Sequence, residues 1–303
     1  MIHALRPAAL SAFLSFGLAA AAVADPVTVE TARGPVTLPA VPERVIVFDM
    51  AALDTLDALG VVPVGVTDNT YLPALAHVRE HAEPVGTLFE PNMEAVAALG
   101  PDLIIIGGRS AAQYDALSRI APVIDMTIDA KDGLVPAARE RILAYGEIFG
   151  KVPEATELAT VLDGAVAKAR AAVADKGKAL VVLTNGTRMS VFGPGSRFGW
   201  VHGDLDLPAA TATVDEGSHG EGVSAEFIRQ ANPDWLIVVD RAAAVGQAGD
   251  SARQTLDNPL VGSTTAWQKQ QIVYLDPTST YIANGGARAL TGLLGQITEA
   301  FAK

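Results

Sequence analysis

The hydrophobic positions of this chain fall into two kinds of stretch, and the two alternate. Short unbroken runs rich in Val, Ile and Leu have the length of strands buried on both faces; between them, apolar residues recur at helical spacing. An exposed hairpin over Val27–Leu38 turns at Arg33-Gly34-Pro35, and the run from Arg44 to Asp49 (RVIVFD) predicts a buried strand. Ala51–Leu59 predicts a helix closed by Gly60, Val62–Val66 a second strand, and Tyr71–Glu80 a helix before a loop through Pro84, Gly86 and Pro91. Helix Met93–Leu99, strand Leu103–Ile106, helix Ala112–Ile120 and strand Val123–Met126 follow. This alternation indicates parallel βαβ units.

The rhythm breaks after Met126. Leu134–Phe149 and, past Gly150 and Pro153, Glu154–Ala174 are almost entirely helix formers with no strand. The simplest account is a helix that crosses from one lobe to another, followed by the first helix of the second lobe. Lys178–Leu183 resumes as a strand, with Met189–Phe192 as its partner across an Asn185-Gly186 turn. A glycine-rich loop (Gly193–Gly199), a helix-poor stretch to Trp267, a last strand (Ile272–Leu275), a loop (Asp276–Gly286) and a terminal helix (Ala287–Ala302) complete the pattern.

One phrase occurs twice. Asn92–Arg109 (NMEAVAALGPDLIIIGGR) aligns with the second half of Ser218–Arg241 (SHGEGVSAEFIRQANPDWLIVVDR). Glu94 falls over Glu226, Pro101-Asp102 over Pro233-Asp234, and Arg109 over Arg241. The matches sit on the helix start, the turn and the strand end, which suggests two similar α/β lobes. Helix–Pro-Asp–strand is also a common α/β phrase, and chance recurrence stays open at this point.

Composition narrows the class. At 303 residues with 50% apolar, the chain can bury one large core or two ordinary ones. Arg6, the apolar small-residue run Ala8–Ala22 and the A-x-A site Ala22-Val23-Ala24 read as a cleaved secretory leader over residues 1–24. Cysteine is absent, which removes disulfides, thiol catalysis, thiolate metal sites and a lipid-attachment cysteine together. The reading is an exported, untethered, soluble protein of the periplasm. The net charge of −12 argues against a nucleic-acid partner. Against that background, arginines gathered in loops would mark a local anion site.

Several motifs carry little weight. His77-Val-Arg-Glu-His81 matches an inverted zinc-peptidase pattern, but Pro73 and Pro84 confine it to a short segment that reads better as a solvated charged face. Gly193–Gly199 has neither the dinucleotide nor the P-loop spacing, and no G-x-S-x-G elbow occurs. The strand ends are more informative, because open α/β sheets bind ligands beyond the carboxyl ends of their strands. Arg109 and Arg241 sit at two such ends, Arg197 in the glycine-rich loop, His219 in the loop before a helix, and Tyr281 in the loop after the last strand. Singly, each is the kind of residue that caps or covers a surface. Together they describe a cleft for a hard, anionic, oxygen-rich ligand, since the planar guanidinium fork donates to paired oxygens. A phenol and an imidazole beside such a ligand suit Fe(III).

With these residues in view, the chain resembles the periplasmic binding proteins of ABC importers for ferric siderophores, whose cousins bind vitamin B12 and haem. The hairpin followed by PERVIVFD, the EPNMEAVAALGPDLIIIGGR block, GSRFG and NPDWLIVVDR match the family's order and spacing across essentially the whole mature chain. The resemblance implies an α/β fold of two Rossmann-like lobes joined by a single long interdomain helix, with small lobe movements. The expected division is residues 25–132, a linking helix at 133–150, and residues 151–303.

Within the family, the chain is most similar to binders of catecholate siderophores, including tetradentate bis-catecholates. That similarity implies ligand binding by Arg109, Arg197 and Arg241, and iron ligation by His219 and Tyr281, with Ser279 and Thr280 departing from the aromatic-rich flank of relatives. It also implies docking of Glu94 and Glu226 on an inner-membrane ABC permease; the alternative is that both are favourable acidic residues in a first helical turn. No intrinsic cofactor, enzyme activity or oligomer is implied; the ferric siderophore is cargo for a monomer. The rival readings are a fully coordinated siderophore, haem or cobalamin held without protein–metal bonds, and, more remotely, a secreted metal-dependent hydrolase.

Overall fold

The computed structural model describes residues 26–129, 132–211 and 220–303. The expected leader and His219 lie outside these. The hairpin is β1 (Val27–Val29) antiparallel to β2 (Val36–Leu38). The first lobe then runs β3 (Val45–Val47), α1 (Met50–Ala58), β4 (Gly65–Val66), a 3₁₀ turn (Pro73–Glu80), β5 (Glu83–Pro84) and α2 (Met93–Ala98). It closes with β6 (Leu103–Ile106), a 3₁₀ turn (Ala111–Gln113), α3 (Tyr114–Leu117) and β7 (Val123–Asp125). Its sheet has the order β5-β4-β3-β6-β7 and is parallel throughout.

Two helices, α4 (Leu134–Ile148) and α5 (Val152–Val173), separate this lobe from the next. The second lobe is β8 (Ala179–Asn185), β9 (Arg188–Phe192), α6 (Trp200–Gly203), β10 (Glu221–Val223), α7 (Ala225–Ala231) and β11 (Trp235–Asp240). Then come α8 (Arg241–Ala244), α9 (Ala252–Leu256), α10 (Pro259–Gly262), α11 (Thr265–Gln268), β12 (Ile272–Tyr274), α12 (Pro277–Tyr281) and α13 (Ala287–Phe301). Its sheet order is β10-β9-β8-β11-β12, with β8, β11 and β12 parallel and β9 antiparallel to both of its neighbours, β8 and β10. This is an α/β fold of two lobes. Two sequence expectations need correcting. The stretch to Trp267 carries four short helices rather than few, and the supposed loop after the last strand contains α12, so Tyr281 ends a helix.

The repeat is physical. β6 and β11 hold the fourth place in their sheets, and the two Pro-Asp turns do the same work. Asp102 accepts from the Arg44 N–H at 2.9 Å, just before β3; Asp234 accepts from the Lys178 N–H at 2.9 Å, just before β8. Each carboxylate thereby satisfies a backbone donor where a central strand begins.

Along each central strand, alternate residues enter different cores, as the two-residue period requires. Val45, Val47, Leu103, Ile105, Val181, Leu183 and Ile237 face one continuous core that also takes in residues of α4, α5 and α13. Ile46, Ile104 and Ile106 face a separate core on the first lobe, and Leu180, Val182 and Leu236 one on the second. The lobes are further tied by buried carboxylates. Asp54 on α1 accepts from the Arg288 and Ala289 N–H groups at 2.8 and 3.1 Å, capping α13, while Asp204 accepts from the Val135 N–H at 2.9 Å in the first turn of α4. At its far end, α13 stacks Phe301 on Trp235 of β11 with ring centroids 3.7 Å apart.

Candidate functional site

The carboxyl ends of the strands converge on a cavity of about 700 Å³ between the lobes. Arg109 reaches it from the end of β6, after Gly107 and Gly108. Gly107 is required there: a Cβ would lie 2.1 Å from the carboxylate of Asp49, which fills that space from the end of β3. Arg197 arrives on the glycine-rich loop, whose turn is closed by the Ser196 hydroxyl donating to the Gly193 carbonyl at 2.6 Å. Arg241 opens α8, where the Asp240 cap accepts from the Ala243 N–H at 3.0 Å. Tyr281 ends α12, whose Asp276 cap accepts from the Ser279 N–H at 2.8 Å.

These four side chains meet. The guanidinium carbons of Arg197, Arg109 and Arg241 lie 4.8, 5.4 and 5.5 Å from the centre of the Tyr281 ring. Arg241 Nε donates to the Tyr281 hydroxyl at 3.0 Å, and Arg197 donates to the Tyr281 carbonyl at 2.5 Å. Arg109 donates to the same carbonyl and to that of Ile282 at 3.3 Å. The contacts fix each guanidinium and leave part of its five-donor fork uncommitted.

Electrostatics favour an anion here. Burial lowers the pKa of Arg197 to about 10, and repulsion from Arg109 adds to the fall. Arg109 is lowered by burial too, partly offset by Asp49 and Tyr281. An anion entering the cavity would relieve both the lost hydration and the repulsion. Asp49 is held above its ordinary carboxyl range, because burial outweighs its bond from the Ala52 N–H and the pull of Arg109 and Arg141.

The structure adds lining residues that sequence reasoning missed: Asp49, Phe89, Arg141, Arg188 and Asn284. Asp49 obeys the strand-end rule that picked out Arg109, and that rule would have found it. Arg141 comes from α4, where its Nε donates to the Met126 carbonyl at 2.5 Å, and no local signal marks it. Among the described residues, no cluster of three or more His, Cys, Asp and Glu could hold a metal; His77 instead pairs with Asp57 at 2.8 Å. Glu94 and Glu226 lie away from the cavity, exposed, each the second residue of its helix. A hydrogen bond from the Ser224 side chain, helped by the backbone N–H of Glu226 itself, lowers the Glu226 pKa. No described helix is long and apolar enough to cross a membrane.

Comparison with known proteins agrees with this fold. The petrobactin-binding protein YclQ of Bacillus subtilis is 31% identical over 270 residues, covering 88% of this chain and 84% of YclQ. Its crystal structure superposes with a TM-score of 0.86, over 92% of this chain and 100% of that one. The ferric-anguibactin-binding protein FatB of Vibrio anguillarum is 31% identical over 283 residues, 91% of this chain and 88% of FatB. The periplasmic catecholate-siderophore binding protein VctP of Vibrio cholerae is 33% identical with a TM-score of 0.84, covering 91% of this chain and 100% of that one. The family model described as periplasmic binding protein matches residues 45–278, from the first residue of β3 into α12. The chain therefore belongs to the periplasmic binding protein family.

Proposed function

We propose that the protein captures a ferric catecholate siderophore in the periplasm and delivers it, chemically unchanged, to an ABC permease. The observation that carries this reading is the convergence of Arg109, Arg197 and Arg241 on Tyr281 in one cavity. The ligands named for YclQ, FatB and VctP support the siderophore class. Catecholate oxygens are hard, anionic and paired, and each charge-assisted bond from a guanidinium contributes roughly 1.5–3 kcal/mol.

The preferred ligand is a tetradentate bis-catecholate, which fills about four of iron's six positions. Tyr281 and His219 complete the sphere, the tyrosine from beside the arginines and the histidine from the segment preceding β10. Binding then weakens in acid as protons compete for imidazole and phenolate. Glu94 and Glu226, exposed at equivalent points of the two lobes, dock the monomer on the permease.

Visible spectroscopy with a ferric bis-catecholate tests the coordination. The expected result is a ligand-to-metal charge-transfer band that changes in Tyr281→Phe and in His219→Ala. Unchanged spectra and affinity in both variants would sink direct ligation and leave a fully coordinated siderophore, clamped by the arginines alone.

A further inference from the structure

Phe89 is the one aromatic among the large hydrophobic side chains left exposed in the described residues, at 58%, and it stands on the cavity's rim. Its backbone is held from both sides. The Thr87 hydroxyl accepts from the Phe89 N–H at 3.3 Å and from the Glu90 N–H at 3.0 Å. The Gln113 amide donates to the Phe89 carbonyl at 3.2 Å, tying this turn to the segment that follows Arg109. The Thr87 N–H closes the turn on the Glu90 carbonyl at 3.0 Å, and Gly86 bridges to Pro91 behind it. Gly86 has φ +103°, and a Cβ there would meet the Glu90 carbonyl oxygen at 2.5 Å, so the turn is built around a glycine.

A braced turn thus holds a phenyl ring at the mouth of an arginine-lined cavity with more than half of its surface open to solvent. We infer that Phe89 packs against the aromatic ring of the bound catecholate, the apolar face that guanidinium donors to its oxygens leave uncovered. Aromatic pairs gain from offset or edge-to-face contact beyond simple burial. Phe89 would then select ligands whose iron-binding oxygens are carried on an aromatic ring. This rests on the proposed function and adds the ring contact to it.

Dissociation constants of wild type, Phe89→Ala, Phe89→Leu, Phe89→Tyr and Gln113→Ala for a ferric bis-catecholate test it, with melting curves alongside. Phe89→Ala should weaken binding on the order of 3- to 10-fold, Leu by less, and Tyr within about twofold. Gln113→Ala, which frees the turn but keeps the ring, should fall between wild type and Phe89→Ala. Because the side chain is exposed, the melting temperature of Phe89→Ala should match wild type. An unchanged constant in Phe89→Ala, with wild type binding, overturns the inference alone and leaves the ring to a protein partner. A wild type that binds no ferric catecholate overturns the functional reading and this inference with it.

Discussion

Arg109 and Arg197 are half-buried, and desolvation lowers the pKa of both, with repulsion from Arg241 adding to the fall at Arg109 and repulsion from Arg109 adding to it at Arg197. Replacing either with Ala removes a donor that an anionic ligand needs. Affinity for a ferric catecholate should fall roughly 10- to 100-fold per residue, as isothermal titration would show. In its ionised form Asp49 opposes the same ligand with like charge. Asp49→Asn keeps a good cap for α1, so it should tighten binding several-fold with no loss of melting temperature. Weaker binding in that variant would instead mean that the carboxylate touches the ligand. At this scale the placement of the three arginines and Tyr281 at one cavity was legible, because strand ends and turns are local in sequence. Arg141 and Phe89 were not, since a crossing helix and a distant turn bring them to the cavity. Asp49, at the end of β3, was within reach of the same strand-end rule.

At the scale of elements, the strands and the long helices were readable from period alone. The short helices α8 to α11 were not, because one turn of helix shows no periodicity. They are set by caps: Asp240, Ser251, Asn258 and Thr264 each accept from a backbone N–H near the helix start. The cap that Asp54 supplies to α13 has a measurable consequence. Burial raises its carboxyl pKa above the ordinary 3.8, against the Ala289 and Arg288 bonds and the Arg288 charge. Asp57 and His77 adjoin the cluster, Asp57 pairing with Arg288 and His77 with Asp57. An acid whose pKa is higher in the folded chain contributes most stability below its unfolded pKa, and loses it as pH rises through the folded value. Asp54→Asn keeps an acceptor but cannot ionise. Wild-type stability relative to this variant, from urea unfolding, should therefore decline with rising pH above about 4. A difference that grows with pH would contradict the sign.

For the whole molecule, the two lobes were visible in the repeated phrase, whereas their shared core was not. Sequence distance hides the fact that α4, α5 and α13 join both sheets in one buried cluster. That continuity predicts a single cooperative unfolding transition by calorimetry, rather than one per lobe. Ligand at about 100 times its dissociation constant should add about 2.7 kcal/mol to the stability of the folded chain.

Trp200, buried at 5% exposure, lines the cavity and reports on its contents. The most direct measurement is a tryptophan-fluorescence titration of the protein with ferric bis-catecholate, ferric tris-catecholate, haem and cobalamin. The catecholates should quench saturably, the bis-catecholate most strongly, and the quenching should be lost when Arg109 and Arg197 are both replaced with Ala. Saturation by haem or cobalamin alone, or catecholate quenching that survives the double replacement, would contradict the proposed function.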